Sequence, residues 1–266
     1  MQNCTLAQNN LACAEVSPQA RATVWINAKR LSYQELNATI HEAVFGGAKV
    51  VEVENVNGQR YIGRGLNQPV EIILHGTPGN DLGCFLNGPQ IIVRGNGQDC
   101  IGNTMNDGKI VVHGDAGDVL GYGMRGGKLF IRGNVGYRVG IHMKEYRRQV
   151  PVMVIGGTAG DFFGEYMAGG IIILLGLEQT DRPIAGDYLG TGMHGGVIYV
   201  RGEVDPAQLG KEVVVMSITP ADEVVLDQHL SEFCRDFNLD YAAIRNKPFI
   251  KLVPTSHRPY GRLYAY

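Results

Sequence analysis

Residues 74–95 read LHGTPGNDLGCFLNGPQIIVRG, residues 112–133 read VHGDAGDVLGYGMRGGKLFIRG, and residues 155–176 read IGGTAGDFFGEYMAGGIIILLG. The same pattern recurs. Its anchor glycines Gly76, Gly95, Gly114 and Gly133 fall 19 residues apart, and a fixed period of that size marks a repeat architecture. Two insertions leave the register intact: five residues between Gly133 and Gly157, and seven between Gly176 and Pro183, after which Pro183 to Gly202 again spans 19. Such insertions read as loops.

Within each repeat the same offsets keep the same chemistry. Ten residues after each anchor stand Leu86, Met105, Met124, Met143, Met167 and Met193. Six residues after stand Leu82, Ile101, Leu120, Val139, Phe163 and Leu189, each followed at once by a glycine. Every coil closes on a β-rich run, such as Ile91-Ile92-Val93 or Leu129-Phe130-Ile131, too short for a helix and bounded by glycine. A chain that returns to one point every 19 residues can stack its strands as a parallel sheet, about 4.8 Å apart. The expected fold is therefore all-β dominated, a right-handed parallel β-helix. Methionine and leucine columns fill its bore, and glycines supply positive φ at its corners.

The flanks read differently. Residues 1–21 are polar and lack a hydrophobic period, which is the composition of a flexible or partner-bound arm. Residues 22–66 predict an αβ cap: a strand at 22–26, a helix from Tyr33 to Phe45 opened by the capping box of Ser32 and Glu35, and a strand at 49–56. The β-helix itself is expected over residues 67–216. Residues 217–266 predict a helix from Pro220 to Phe237 that covers an open end of the solenoid, a second short helix at 240–245, and an extended tail suited to lying on another surface.

Composition narrows the function classes. A net charge of −2 and a pI near 6.4 give no basic surface for nucleic acid or an anionic membrane. No charged leader with an apolar stretch opens the chain, and its apolar runs are far shorter than the ~20 residues of a membrane span. A cytoplasmic protein is expected. Five cysteines, Cys4, Cys13, Cys84, Cys100 and Cys234, form no Cys-x-x-Cys pair, so reduced core thiols are expected rather than disulfides or a metal site.

Several motifs invite chemistry, and their context assigns most of them to architecture. The Gly-x-Gly-x-x-Gly strings at 121–126 and 190–195 precede strands, whereas a dinucleotide fingerprint opens a helix. Asp99, Asp118, Asp161 and Asp187 recur four residues after their anchors. One carboxylate per coil is too few for calcium, so these are expected to bond backbone amides at corners. His75, Arg94, His113, Arg132 and Arg201 stand just before anchor glycines and predict a solvated or partner-facing stripe. The insertion at 141–149 is the dense charged patch of the solenoid, and insertions in solenoids gather on a binding face. Candidate contact residues are Arg138, His142, Lys144, Glu145, Tyr146, Arg147 and Arg148.

The strings NDGKIVVHG (106–114), GNVGYRVGIHMKEY (133–146) and GMHGGVIY (192–199) resemble the C-terminal β-helix domain of the glutamate synthase large subunit. The resemblance runs from about Val24 to at least Phe237, and the glycine spacing is also shared by the glycine-repeat subunit of formylmethanofuran dehydrogenase. It implies a scaffolding part rather than a whole enzyme. Relatives of this kind leave glutamine hydrolysis to an amidotransferase module with an N-terminal cysteine, and glutamate formation to a barrel carrying FMN and an iron–sulfur cluster. Here Met1-Gln2-Asn3-Cys4 presents no such cysteine, and no cysteine cluster exists. The chain is therefore expected to hold no cofactor or catalytic residue of its own. Expected partners are glutamine amidotransferase-like and FMN-binding synthase subunits. A scaffold of a formylmethanofuran-type complex is the alternative, and a stand-alone β-helix enzyme ranks last.

Overall fold

The computed structural model describes residues 23–178 and 183–256. Strand β1 (Thr23–Asn27) leads through helix α1 (Tyr33–Phe45) into β2 (Val50–Asn57). There follow β3 (Glu71–Thr77), β4 (Asn87–Arg94), β5 (Asp107–Val112), β6 (Lys128–Ile131), β7 (Val152–Ile155), β8 (Ala168–Leu174) and β9 (Gly195–Arg201). After a 3-10 turn at Pro206–Gln208 come β10 (Val213–Met216), α2 (Pro220–Phe237), α3 (Tyr241–Arg245) and β11 (Phe249–Pro254). One eleven-stranded sheet results, ordered β1 to β9, then β11, then β10.

From β1 to β9 every neighbouring pair is parallel. Register follows the repeat: Ile72 pairs Ile91, Ile91 pairs Ile110 and Ile110 pairs Leu129, each step being 19 residues. Lys128 then pairs Val152, 24 residues on, and Ile171 pairs Val197, 26 on. These exceed the period by the five and seven inserted residues. The chain is a parallel β-helix, as expected.

Both columns predicted for the bore are fully buried, from Leu86 through Met193 and from Leu82 through Leu189. Burying each such side chain contributes about 1.5–3 kcal/mol, which no single coil could collect without its neighbours. At the N-terminal end α1 joins this core through Leu36, Ile40 and Val44. Its start is fixed as the sequence predicts: the Ser32 hydroxyl accepts from the Glu35 amide at 3.2 Å, and the Glu35 carboxylate accepts from the Ser32 amide at 2.8 Å.

The C-terminal region departs from expectation in two ways. Helix α2 does not cover an end of the solenoid but lies on the outer face of the sheet. Its Leu226, Leu230, Phe233 and Cys234 form a second core with Phe130, Val154, Ile173 and Tyr199. The reason is that β6 to β9 carry apolar residues on both faces, as buried parallel strands do, and only the bore face was assigned. Lys109 clamps the helix through Glu232 (2.8 Å) and Asp236 (2.6 Å), and Lys128 also meets Glu232. Asp222 at its N-terminus accepts from the Tyr199 hydroxyl (2.6 Å), the Thr219 hydroxyl (2.6 Å) and Lys251 (2.7 Å).

The second departure is β11. The surface on which this part of the tail lies is the chain's own sheet, where it inserts antiparallel between β9 and β10. Prolines 248, 254 and 259 obscured the alternation of Phe249, Ile250, Lys251, Leu252 and Val253. The proposed arm at 1–21 and the tail residues 257–266 lie outside the described residues.

Candidate partner-docking corner

One corner of each coil is built from alternating left-handed residues. Five, seven and nine residues after the anchors φ is positive, for example Arg138 (55°), Gly140 (78°) and His142 (56°), or Phe162 (62°), Gly164 (73°) and Tyr166 (50°). Glycine was expected to supply this conformation. It does so throughout the middle column, where a Cβ at Gly140 would stand 2.5 Å from Ile172 Cδ1 of a neighbouring coil. The outer two columns accept ordinary side chains, because alternate residues at such a corner turn outward while Val139 and Met143 turn into the bore.

Outward-turned residues of successive coils land above one another. The His142 ring stacks on Tyr166 at 5.4 Å, nearly parallel, and meets Tyr122 edge-on at 5.8 Å. Beside them the Arg138 guanidinium lies 4.6 Å over the Phe162 ring, and Phe162 stacks on Tyr188 at 4.8 Å. Arg138 also pairs with Glu165, a carboxylate with a side chain only 8 % exposed. The rings of Tyr122, Tyr166 and Tyr188 remain exposed. The corner is thus an amphipathic row, with aromatic faces and one anchored ion pair, on a rigid frame.

The inserted loop adjoins this row. Tyr146 and Gln149 close a tight hairpin through mutual backbone bonds of 3.1 and 3.0 Å, with Arg147 left-handed at its tip. Arg147 lies 5.1 Å over the ring of Tyr146, and Glu145 accepts from the Gly170 amide at 3.2 Å. Lys144, Glu145, Tyr146, Arg147 and Arg148 are all exposed. The structure therefore places Arg138 and His142 in the row and the other five candidates in the loop beside it. Sequence reading missed Tyr122, Phe162, Glu165, Tyr166 and Tyr188. For three of them the signal was an offset that was not read: Phe162 and Tyr188 stand five residues after their anchors, as Arg138 does, and Tyr166 stands nine after, as His142 does.

Other candidates resolve into architecture. The stripe before the anchor glycines is partly exposed and internally paired: His75 meets Glu52 at 2.7 Å, Arg94 meets His113 at 2.7 Å, and Arg132 meets Glu178 at 3.2 Å. Arg201 donates to Ile244 O (2.7 Å) and to Asn246 (2.9 Å), which fastens α3. Burial and the neighbouring Arg94 hold the His113 imidazole below its usual pKa, so it stays neutral against Phe237. Glu52, Glu54 and His75 are close enough to share a metal ion. They lie on the sheet with part of each side chain exposed, and His75 Nε2 already has a hydrogen-bond partner in Glu52 at 2.7 Å.

The aspartate column does bond backbone amides, but those of the next coil. Asp99 Oδ1 accepts from Asp118 N, Asp118 Oδ1 from Tyr137 N, and Asp161 Oδ1 from Asp187 N, each at 2.9 Å. Cys84 and Cys234 are buried and Cys100 half-buried, and burial raises all three thiols, Cys84 to about 11. A cleft of about 480 Å³ between α1 and the first coil is lined by Tyr33, Asn37, His41, Tyr61 and Arg64. Its lining holds no nucleophile–base pair. Among the described residues, no helix is long and apolar enough to cross a membrane.

Comparison with known proteins agrees with this architecture. The chain is 47% identical over 251 residues to an uncharacterized protein of Methanocaldococcus jannaschii, covering 91% of this chain and 96% of the relative. Its fold is similar to that of a chain in the formyltransferase/hydrolase complex (FhcABCD) from Methylorubrum extorquens, solved with methylofuran. That likeness has a TM-score of 0.58 at 20% identity and covers 85% of this chain and 92% of the other. The model of the GXGXG motif family matches residues 35–255, and the chain, with its left-handed glycine corners repeated coil after coil, belongs to that family.

Proposed function

We propose that this chain is a scaffolding subunit, without catalysis of its own, in a multi-subunit glutamate synthase-like complex. Its corner row and inserted loop would hold a glutamine amidotransferase-like subunit and a synthase subunit with FMN and an iron–sulfur cluster, keeping their sites aligned for ammonia transfer. The observation that carries this reading is the corner itself. Exposed Tyr122, Tyr166 and Tyr188 are fixed in register beside a buried-carboxylate ion pair, and aromatic and arginine side chains are the usual anchors of protein interfaces. A rigid solenoid suits such alignment because its surface rows are set by the backbone. A second reading, a subunit of a formyltransferase/hydrolase-type complex, draws on the fold likeness.

Affinity purification of the tagged full chain from an extract of its native cells tests both. Recovery of amidotransferase-like and flavin-containing partners, with glutamine-dependent reduction of 2-oxoglutarate only in the mixture, is expected. Tyr166→Ala and Tyr188→Ala should reduce partner recovery without shifting the melting temperature of the isolated chain. Recovery of pterin-containing partners would favour the second reading, and turnover by the purified chain alone would overturn the scaffold.

A further inference from the structure

We infer that the free edge of β10 is where a second copy of this chain adds its own β10, joining two solenoids end to end. Helix α2 lies on the sheet's outer face, so it does not cover the sheet edge at the C-terminal end of the solenoid. The sheet ends on β10, which pairs with β11 on one side. Among the described residues no strand pairs its other side. There Val214, Val215 and Met216 are 40%, 50% and 51% exposed, three consecutive apolar residues at an open edge. Terminal repeats ordinarily present polar outer faces, and exposed edges are ordinarily guarded by lysine, proline or a bulge. The strand Val213-Val214-Val215-Met216 has none of these.

A second copy fits because an antiparallel edge is self-complementary about a two-fold axis. Centred between Val214 and Val215, such pairing sets Val213 against Met216 and Val214 against Val215. Outside them Glu212 meets Ser217, and Lys211 meets Ile218, so no like charges face each other. The charged neighbour of Met216 on β11 is Lys251, already neutralised by Asp222 at 2.7 Å. β10 is continued on both sides by described residues, Gly210–Glu212 before it and Ser217–Thr219 after it, whereas the opposite edge, β1, adjoins residues 1–22, outside the described residues.

Light scattering on the full chain at about 50 micromolar should give twice the monomer mass of 28.9 kDa. Val214→Lys with Val215→Lys places four ammonium groups around the two-fold and should weaken association about 100-fold, to a monomer. Val214→Glu with Val215→Glu should do the same, and an equimolar mixture of the two variants should restore the dimer. Independently of any variant, amides of Val213–Met216 should exchange faster on dilution of the wild-type protein. A wild-type monomer at that concentration, a dimer surviving in the lysine variant, or concentration-independent exchange at β10 would each overturn the inference. A strand from another protein occupying this edge would appear as the first of these outcomes.

Discussion

Substituting alanine for Gly117 isolates what the repeated glycines do. Gly117 has no positive φ, so its backbone would tolerate a side chain, and a compatible Gly→Ala change is ordinarily stabilising by about 0.4–1 kcal/mol. Here the new Cβ would stand 2.0 Å from Asp99 Oδ1 of the preceding coil. The carboxylate must swing away, and the Asp118 amide then loses its acceptor at 2.9 Å. Losing a charged acceptor from a half-buried amide costs about 1.5–3 kcal/mol, which outweighs the entropic gain. Asp99→Ala removes the same bond directly and should cost a similar amount. The double variant loses that bond only once. The added Cβ then finds the backbone nitrogen of residue 99 at 3.3 Å, a contact that a slight shift relieves. The two effects should therefore fall short of additivity by about 1–2 kcal/mol. Urea midpoints at unchanged slope for the four proteins supply the cycle. Additivity within about 0.5 kcal/mol would refute the ladder as the reason for glycine at this offset.

Three further outcomes follow from the same structure. Met124→Ala opens a cavity in the middle of the bore, where the side chain is fully buried, and should cost about 2–5 kcal/mol in chemical denaturation. Val119 is a β-branched residue at φ 60°, a conformation that asparagine tolerates far better. Val119→Asn should stabilise the chain by about 0.5–1 kcal/mol, seen as a higher urea midpoint. Acid should loosen α2 in two stages, read by amide exchange along the helix. Burial and the nearby Lys128 depress the His229 imidazole, so stability present above its unfolded pKa of about 6.5 is lost as pH falls through its lower folded value. Burial would raise the Asp222 carboxyl, yet Lys251, Thr219 and Tyr199 together hold it well below the usual range. Its contribution therefore persists down to about pH 4 and is lost below. His229→Leu should abolish the first stage and leave the second.

What could be read from the sequence, and what could not, divides by the range of the interaction. The bore was legible because Met105, Met124 and Met143 repeat at one offset, and a repeated apolar residue has one physical use. The capping box at Ser32 was legible because both partners lie within four residues. By contrast, α2 could be drawn as a helix but not placed. Its docking depends on Phe130, Val154, Ile173 and Tyr199, which become a surface only once four strands are aligned. β11 was hidden for the same reason, since its partners Tyr199 and Val214 are far away in sequence and the local prolines argued for a loop. The corner row fell between these cases. His142 was found in a charged insertion and Arg138 named beside it, whereas Phe162, Tyr166 and Tyr188 went unread because the offsets of five and nine residues from the anchors were not followed from coil to coil.

Applying the period in that way separates two demands that the same residue type meets. At Gly140 the conformation is left-handed and a neighbouring isoleucine fills the space a side chain would take, so glycine is required twice over. At Gly117, Gly136 and Gly186 the conformation is ordinary, and what excludes a Cβ is the aspartate oxygen of the coil before, at 2.0, 1.9 and 2.0 Å. Where the aspartate is present, it and the glycine are therefore one device, a side-chain rung that ties a coil to its successor and needs an empty position above it. One coil tests this internally: where Tyr137 replaces the aspartate, the following Gly160 has no side-chain oxygen near its missing Cβ, and the nearest atoms are backbone at 3.0 Å. The rungs add to the backbone bonds that join coil to coil at the same corner, such as Gly136 N to Gly117 O at 3.0 Å. That rigidity is what lets a row such as Tyr122, His142 and Tyr166 be presented as a fixed surface rather than as three mobile side chains.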